Sequence, residues 1–569
     1  MKDRFAHHHA GSYLKPLRRI EGAPITLEEA DIILIESAIG DILGELPLLD
    51  SNSLFVDRLK SSFQHASISD PAASEDISSH FRPHSVSWEA LSNTIAACAV
   101  PVKISNRSYH EMAGMAWAFF KKAYSCFPAL LIARDNTLQA VQALLVMTLF
   151  MRTYSADTRT MALFLSTATR MLQMCNQKQP CHVKSEDIEI MSRVFWAAYI
   201  LDVEVSTNSG LPPTLNDDDW DIDLPEDGIA EELGTSTNSI FRARVELAQI
   251  QSQVRRKLYA SSKSASISDM TRLQIIIELE SKLAGWIART EPSIRPQLDY
   301  SNNQPAESST LDPHVIMLHL AYYSCVGMLR WAAPRHAIER GIIPATPGEE
   351  QPVEHATGII FYCRRALRTA ARNTISLVLH RMPKFQFGDF RQKLHYPITA
   401  ILILLNSILE SYSDAEEARD DCVLINSFAR FVRNWAEREG CDLDILVRGC
   451  FELANIAGYV SAAKSSTAGY REPAFRVVGP IDVEDDGPLS MQTTAAMLAT
   501  LLNAWPHPIH LTQSLMGNMP RGSMDVAAVH NLWALFGGGL QDINTSMSAL
   551  YGPFVPASMQ PETFGFCFE

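Results

Sequence analysis

The residues best suited to chemistry form an acidic run, Asp217-Asp218-Asp219-Trp220-Asp221. Asp217, Asp218 and Asp221 offer hard oxygen ligands in an Asp-Asp-x-x-Asp pattern that suits magnesium. Such a site needs the carboxylates on a helix facing a cavity, with further ligands across it. The flanking text argues against that setting. The run follows Pro212 and Pro213 and ends at Pro225, which reads as an extended turn. Other chemistries find less. His7, His8 and His9 are adjacent but lack a second ligand set, so they read as a solvated tract. The ten cysteines are scattered, with no Cys-x-x-Cys pair, and read as reduced core thiols of the cytosol or nucleus. No Gly-x-Ser-x-Gly, His-Glu-x-x-His, Walker loop or Gly-x-Gly-x-x-Gly occurs. The sequence thus predicts no enzyme: no catalytic residue, no metal site and no cofactor.

The element that positions the acidic run is the stretch before it. Ser185 can cap a helix, and Glu186 and Asp187 suit its positive N-terminal end. Ile188, Met191, Phe195 and Tyr199 recur at three- and four-residue spacing and predict one apolar face. Asp202 continues that face. A carboxylate there needs a partner, because burying it alone is costly, and Ser206 one turn on is a candidate. Gly210, Pro212 and Pro213 then stop the helix.

Around this centre the text is helical. Residues 1–24 read as a mobile lead, with Lys15, Arg18 and Arg19 as a small basic cluster. A helical domain is expected over 25–469, broken at Pro47 and by a Ser-, Asp- and Pro-rich loop over 64–87. Three or four helices are expected from Trp88 to Met174. One carries the stripe Met115, Phe119, Ala123 and Phe127, and another is buried from Thr137 to Phe150. Further helices are expected over Ile240–Tyr259, Met270–Arg289, Val315–Trp331, Ala356–Arg381, Leu394–Tyr412 and Cys422–Trp435. No alternating strands, Asn-Gly hairpins or fixed repeat appear, so the fold class is all-α. Residues 470–569 shift toward Pro, Gly and Asp and read as a looser C-terminal region with short helices. Net charge is -15, which disfavours DNA binding by the surface as a whole. Arg255-Arg256-Lys257 and Arg364-Arg365 read as solvated helix faces. The longest apolar runs are about a dozen residues, short of the ~20 that a membrane span needs, and the N-terminus lacks a signal-peptide core. No membrane association is expected.

The central stretch resembles the signature of the fungal-specific transcription factor domain, also called the xylanolytic activator regulatory domain. Arg193, Phe195, Trp196, Tyr199, Leu201, Asp202, Ser206, Gly210 and Pro212 take the signature's places, followed by Asp221, Asp223, Leu224 and Pro225. Val203 stands where a basic residue is usual, and Leu211 replaces the Arg of Gly-Arg-Pro. The helix ending Leu172-Gln173-Met174-Cys175-Asn176 is similar to a family helix but lacks its histidine. The resemblance spans much of Leu46 to Pro225 and weakens toward Arg335. It implies an all-α nuclear regulator of transcription, controlling a biosynthetic gene cluster. Its signature residues are then structural. Family regulators usually carry a zinc cluster of six cysteines that reads DNA. No such cysteine set occurs in these 569 residues. The resemblance therefore implies action through a DNA-binding partner, as a homo- or heterodimer, or through a small-molecule effector. Two alternatives remain open. One is a magnesium-dependent terpenoid enzyme, since Asp217-Asp218-x-x-Asp221 also matches terpene synthases, which are all-helical. Against it, no second Asn-Asp-x-x-Ser-x-x-x-Glu-like element is present. The other is a regulator fragment whose zinc-cluster exon lies upstream.

Overall fold

The computed structural model describes residues 29–44, 46–49, 52–67, 85–103, 109–132, 138–154, 158–176, 185–216, 222–225, 235–259, 267–297, 312–333, 352–381, 393–409, 415–439 and scattered positions between 447 and 461. Among them there are fourteen α-helices and no strand, as the spacing of apolar residues predicts. The lead (1–24) and the C-terminal region (470–569) lie outside the described residues.

The first half is built from α1 (Glu29–Leu43), α2 (Asn52–Ser67), α3 (Val86–Lys103), α4 (Tyr109–Ser125), α5 (Phe127–Ile132), α6 (Leu138–Tyr154) and α7 (Thr158–Asn176). Helix α3 is its hub, packed on α1, α4 and α6, while α7 covers the other side of α6. Five helices, not three or four, occupy the stretch from Trp88 to Met174. The extra one arises at Cys126, where the backbone turns and Phe127 starts α5. The expected stripe is therefore split. Phe119 and Ala123 are buried on α4, Phe127 is buried on α5, and Met115 is exposed. What fills the space is an aromatic cluster. Phe120 stacks on Phe150 with centroids 4.2 Å apart, and Trp117 meets Phe150 edge-on at 5.1 Å. Burial from Ala140 to Met151 runs round all of α6, as its near-continuous apolar sequence predicts.

Helix α8 (Ser185–Ser209) joins this half to the second. It packs against α6 and α7 on one side and α9 (Thr235–Leu258) on the other. Helix α9 then carries α10 (Asp269–Arg289) and α11 (Pro313–Trp331). Helix α12 (Pro352–Arg381) lies on α11 and supports α13 (His395–Leu409) and α14 (Ala415–Glu439). The termini obey local chemistry. The Ser268 hydroxyl accepts the Thr271 N–H ahead of α10, and Asp312 accepts the His314 N–H at 2.7 Å ahead of α11, with Pro313 at the first helical position.

Contacts between the later helices are strongly ionic. Asp421 of α14 is fully buried between Arg368 and Arg372 of α12, each at 2.5 Å. Burial pushes its carboxyl upward, against the pull of both guanidiniums. Arg330 of α11 bonds Glu280 of α10 and lies 4.6 Å over the Tyr362 ring of α12. The six described free cysteines, Cys98, Cys126, Cys325, Cys363, Cys422 and Cys450, are all buried. Burial raises the Cys98, Cys325 and Cys450 thiols to about 12, so they stay protonated and unreactive.

Candidate functional site

The signature residues converge on α8 and the chain that turns back from it. Val194 to Ser206 is buried on every side, not along one face. The reason is that α8 has neighbours on two opposite sides. Phe195 and Tyr199 are buried, and Trp196 meets both rings edge-on, at 5.1 and 5.5 Å. Arg193 lies 3.7 Å from Glu189 one turn earlier on the same helix. Val203, at the position that is basic in the resemblance, is buried.

Asp202 is 3% exposed, and its partner is not the Ser206 hydroxyl expected from spacing. The N–H groups of Thr214 and Leu215 donate to Asp202 Oδ2 at 2.7 and 2.8 Å. The two prolines before them turn the chain so that these amides face back to the helix. Ser206 contributes its carbonyl, which accepts from Arg255 Nη1 of α9 at 2.8 Å. Arg255 Nη2 donates to the Leu211 carbonyl. Arg255 is thus a buried clamp on α8 and its turn, which corrects the reading of that cluster as a solvated face. Arg256 reaches the Asn216 side chain at 2.9 Å, and Lys257 keeps the expected exposed character in an ion pair with Glu278 at 2.8 Å. Burial raises the Asp202 carboxyl to about 6, while both N–H donors and Arg255 pull it down. Burial likewise lowers Arg255, and Asp202 opposes that.

Gly210 ends α8 with φ +74°, the left-handed conformation that closes many helices. A Cβ there would meet nothing within 4 Å, so only the dihedral demands glycine. Gly210→Ala is expected to lower stability by about 1–2 kcal/mol, read as a shifted urea midpoint. Pro212 is exposed beside it. Further on, Trp196 Nε1 donates to the Asp223 carbonyl at 2.9 Å, and Arg242 of α9 donates to the Pro225 carbonyl at 3.2 Å. The returning chain is therefore tied at both ends to α8 and α9. Asp217, Asp218 and Asp221 lie outside the described residues. Among the described residues, no group of three His, Cys, Asp or Glu is placed to hold a metal ion.

Spacing gave no sign of the second buried acid on α8. Glu204, two residues from Asp202, faces another way into the core. It pairs with Arg152 of α6 at 3.2 Å and Arg244 of α9 at 3.5 Å, all three side chains being at most 10% exposed. The only available signal was an acid inside an apolar helix. Behind the last turn of α8, Thr207 and Asn208 line a cleft with α11, α12 and α13. Its volume of about 30 Å³ holds roughly two waters.

Comparison with known proteins matches part of this chain to a family model. Residues 53–323 match the model of the fungal specific transcription factor domain. The chain is 29% identical over 356 residues to an ABC-transporter-regulating transcription factor of Aspergillus fumigatus, covering 61% of this chain and 39% of that protein. It is 27% identical over 446 residues to the protein of the same description in Aspergillus oryzae, covering 74% and 49%. It is 25% identical over 272 residues to the Fusaridione A cluster transcription factor of Fusarium heterosporum, covering 44% and 49%. The chain spans less than half the length of each of these three relatives. No solved structure matches it. The relatives are transcription regulators, not enzymes, and nothing in these matches supports a terpenoid synthase. Among the described residues no helix is long and apolar enough to cross a membrane. The match to the fungal specific transcription factor domain over residues 53–323 takes in α8 and its clamped turn.

Proposed function

We propose that this chain is a nuclear transcription regulator of fungal type that controls a biosynthetic gene cluster. The observation that carries the reading is the family match over residues 53–323, which contains the whole clamped centre of the fold. The reading is supported by relatives described as regulators of an ABC transporter and of the fusaridione A cluster. The helical body is the regulatory part. It reaches DNA through a DNA-binding partner, as a homo- or heterodimer, or answers a small effector. Its net charge of -15 favours a partner over direct contact with phosphates.

Disrupting the gene is expected to change transcripts from a contiguous set of biosynthetic genes, read by RNA sequencing. The purified chain alone is expected to give no tight, salt-resistant, sequence-specific gel shift. An unchanged transcriptome would refute the regulatory role, and a strong shift by the chain alone would refute the need for a partner. Incubation with prenyl diphosphates and magnesium is expected to give no product. Turnover that disappears in Asp217→Ala would replace the regulator with an enzyme.

A further inference from the structure

Helix α10 turns one long face to water. Its buried side is made by Leu273, Ile276, Leu279, Leu283 and Trp286. On its outer side Met270, Gln274, Ile277, Ser281, Ala284 and Ala288 recur at alternating spacings of four and three, and all six are exposed. That is two positions per heptad, a seam with no charge on it that runs the length of the helix. Met270 and Ile277 leave 48% and 41% of their surface open. Tyr362 of α12 is also exposed, and it donates to Glu280 at 3.0 Å, which sets a further open ring beside the middle of the seam. The Ser281 hydroxyl already donates to the Ile277 carbonyl at 3.1 Å, so covering it strands no donor. We propose that this chain forms a homodimer through α10, paired antiparallel with the α10 of a second copy.

The order of sizes along the seam names the occupant. Its N-terminal half is large, Met270, Gln274 and Ile277, and its C-terminal half is small, Ser281, Ala284 and Ala288. A two-fold axis level with Leu279 sets Met270 against the other copy's Ala288, Gln274 against its Ala284 and Ile277 against its Ser281. Every layer is then large on small, the arrangement in which facing side chains interdigitate. A parallel copy would set large on large and small on small. The rim agrees in charge. Glu278 and Lys282, also exposed, border the seam, and the same reversal brings Glu278 of one copy within a turn of Lys282 of the other. Gly285 lies at the same edge. A Cβ there would make only an ordinary contact with the Arg289 guanidinium at 3.4 Å, so no described neighbour requires glycine inside this helix, whereas close approach of another backbone would. The inference deepens the dimer reading of the proposed function by naming the partner. Its test reads mass rather than transcripts, so either reading can fail alone.

Sedimentation velocity of the full chain tests it. A species of twice the 63.3 kDa chain mass is expected at low micromolar concentration. Ala284→Lys puts a charge into a small layer, and is expected to raise the dissociation constant about tenfold or more. Because the position is an exposed one on a helix, circular dichroism and the urea midpoint are expected to stay level in the dissociated chain. A chain carrying both Met270→Cys and Ala288→Cys reads the direction of pairing. The two positions are ~27 Å apart along one helix and cannot join within it. Mild oxidation is expected to link position 270 of one copy to position 288 of the other, identified by peptide mass. A parent chain that stays monomeric at tens of micromolar overturns the proposal. So does a dimer that Ala284→Lys leaves intact, or oxidation that yields no link between 270 and 288.

Discussion

Glu204→Leu is expected to destabilise the chain by about 3–5 kcal/mol, the usual loss when one member of a buried ion group is removed. Glu204 is the shared anion of Arg152 and Arg244, and the Arg244 side chain is 2% exposed. Without the carboxylate, two buried guanidiniums from α6 and α9 lose the anion they share. The desolvation of both ions remains, and their attraction to Glu204 is replaced by mutual repulsion. Urea unfolding followed by helix circular dichroism reads the effect as a lower midpoint. Replacing all three, Arg152→Met with Glu204→Leu and Arg244→Met, is expected to recover most of the loss, because an apolar set of similar volume carries no desolvation penalty. A single variant as stable as the parent would show that the triad is not the joint between the two halves.

Trp286→Ala is the second large loss, about 3–5 kcal/mol for emptying a fully buried aromatic site. Trp286 of α10 has no exposed surface, donates Nε1–H to the Ala243 carbonyl of α9 at 3.0 Å, and stacks on Tyr322 of α11 at 5.7 Å. One side chain therefore fastens three helices. Trp286→Phe keeps most of the volume and the stacking, so its loss is expected to stay near 1–2 kcal/mol. The gap between the two variants, measured by urea unfolding, separates the packing from the hydrogen bond. Equal losses would mean that the hydrogen bond, not the ring, does the fastening.

The site was legible in part. Phe195 and Tyr199 could be placed in the core because their spacing is a local property, and Gly210 with two prolines marked the helix end because glycine takes a positive φ without strain and proline has no N–H to continue the ladder. The need of Asp202 for a partner was also legible, since a carboxylate on an apolar face is costly anywhere. The identity of the partner was not. Ser206 was the nearest polar group along the helix, yet two backbone amides outcompete it, because the prolines bring them to the same oxygen. Backbone donors are present at almost every residue, so composition cannot single them out.

What the sequence determined by itself was the helical class, the end of α8, and the resemblance to the family signature, all carried by residues within a few turns of one another. What the tertiary structure alone decided was the pairing of charges. Arg152 lies 52 residues from Glu204 and Arg255 lies 49 from Ser206. Arg255 and Lys257, two residues apart, have opposite fates, one buried as a clamp and one solvated. The physical reason is range. Propensity and periodicity act along the chain. Desolvation and ion pairing depend on which surfaces meet after helices from distant parts of the chain have packed.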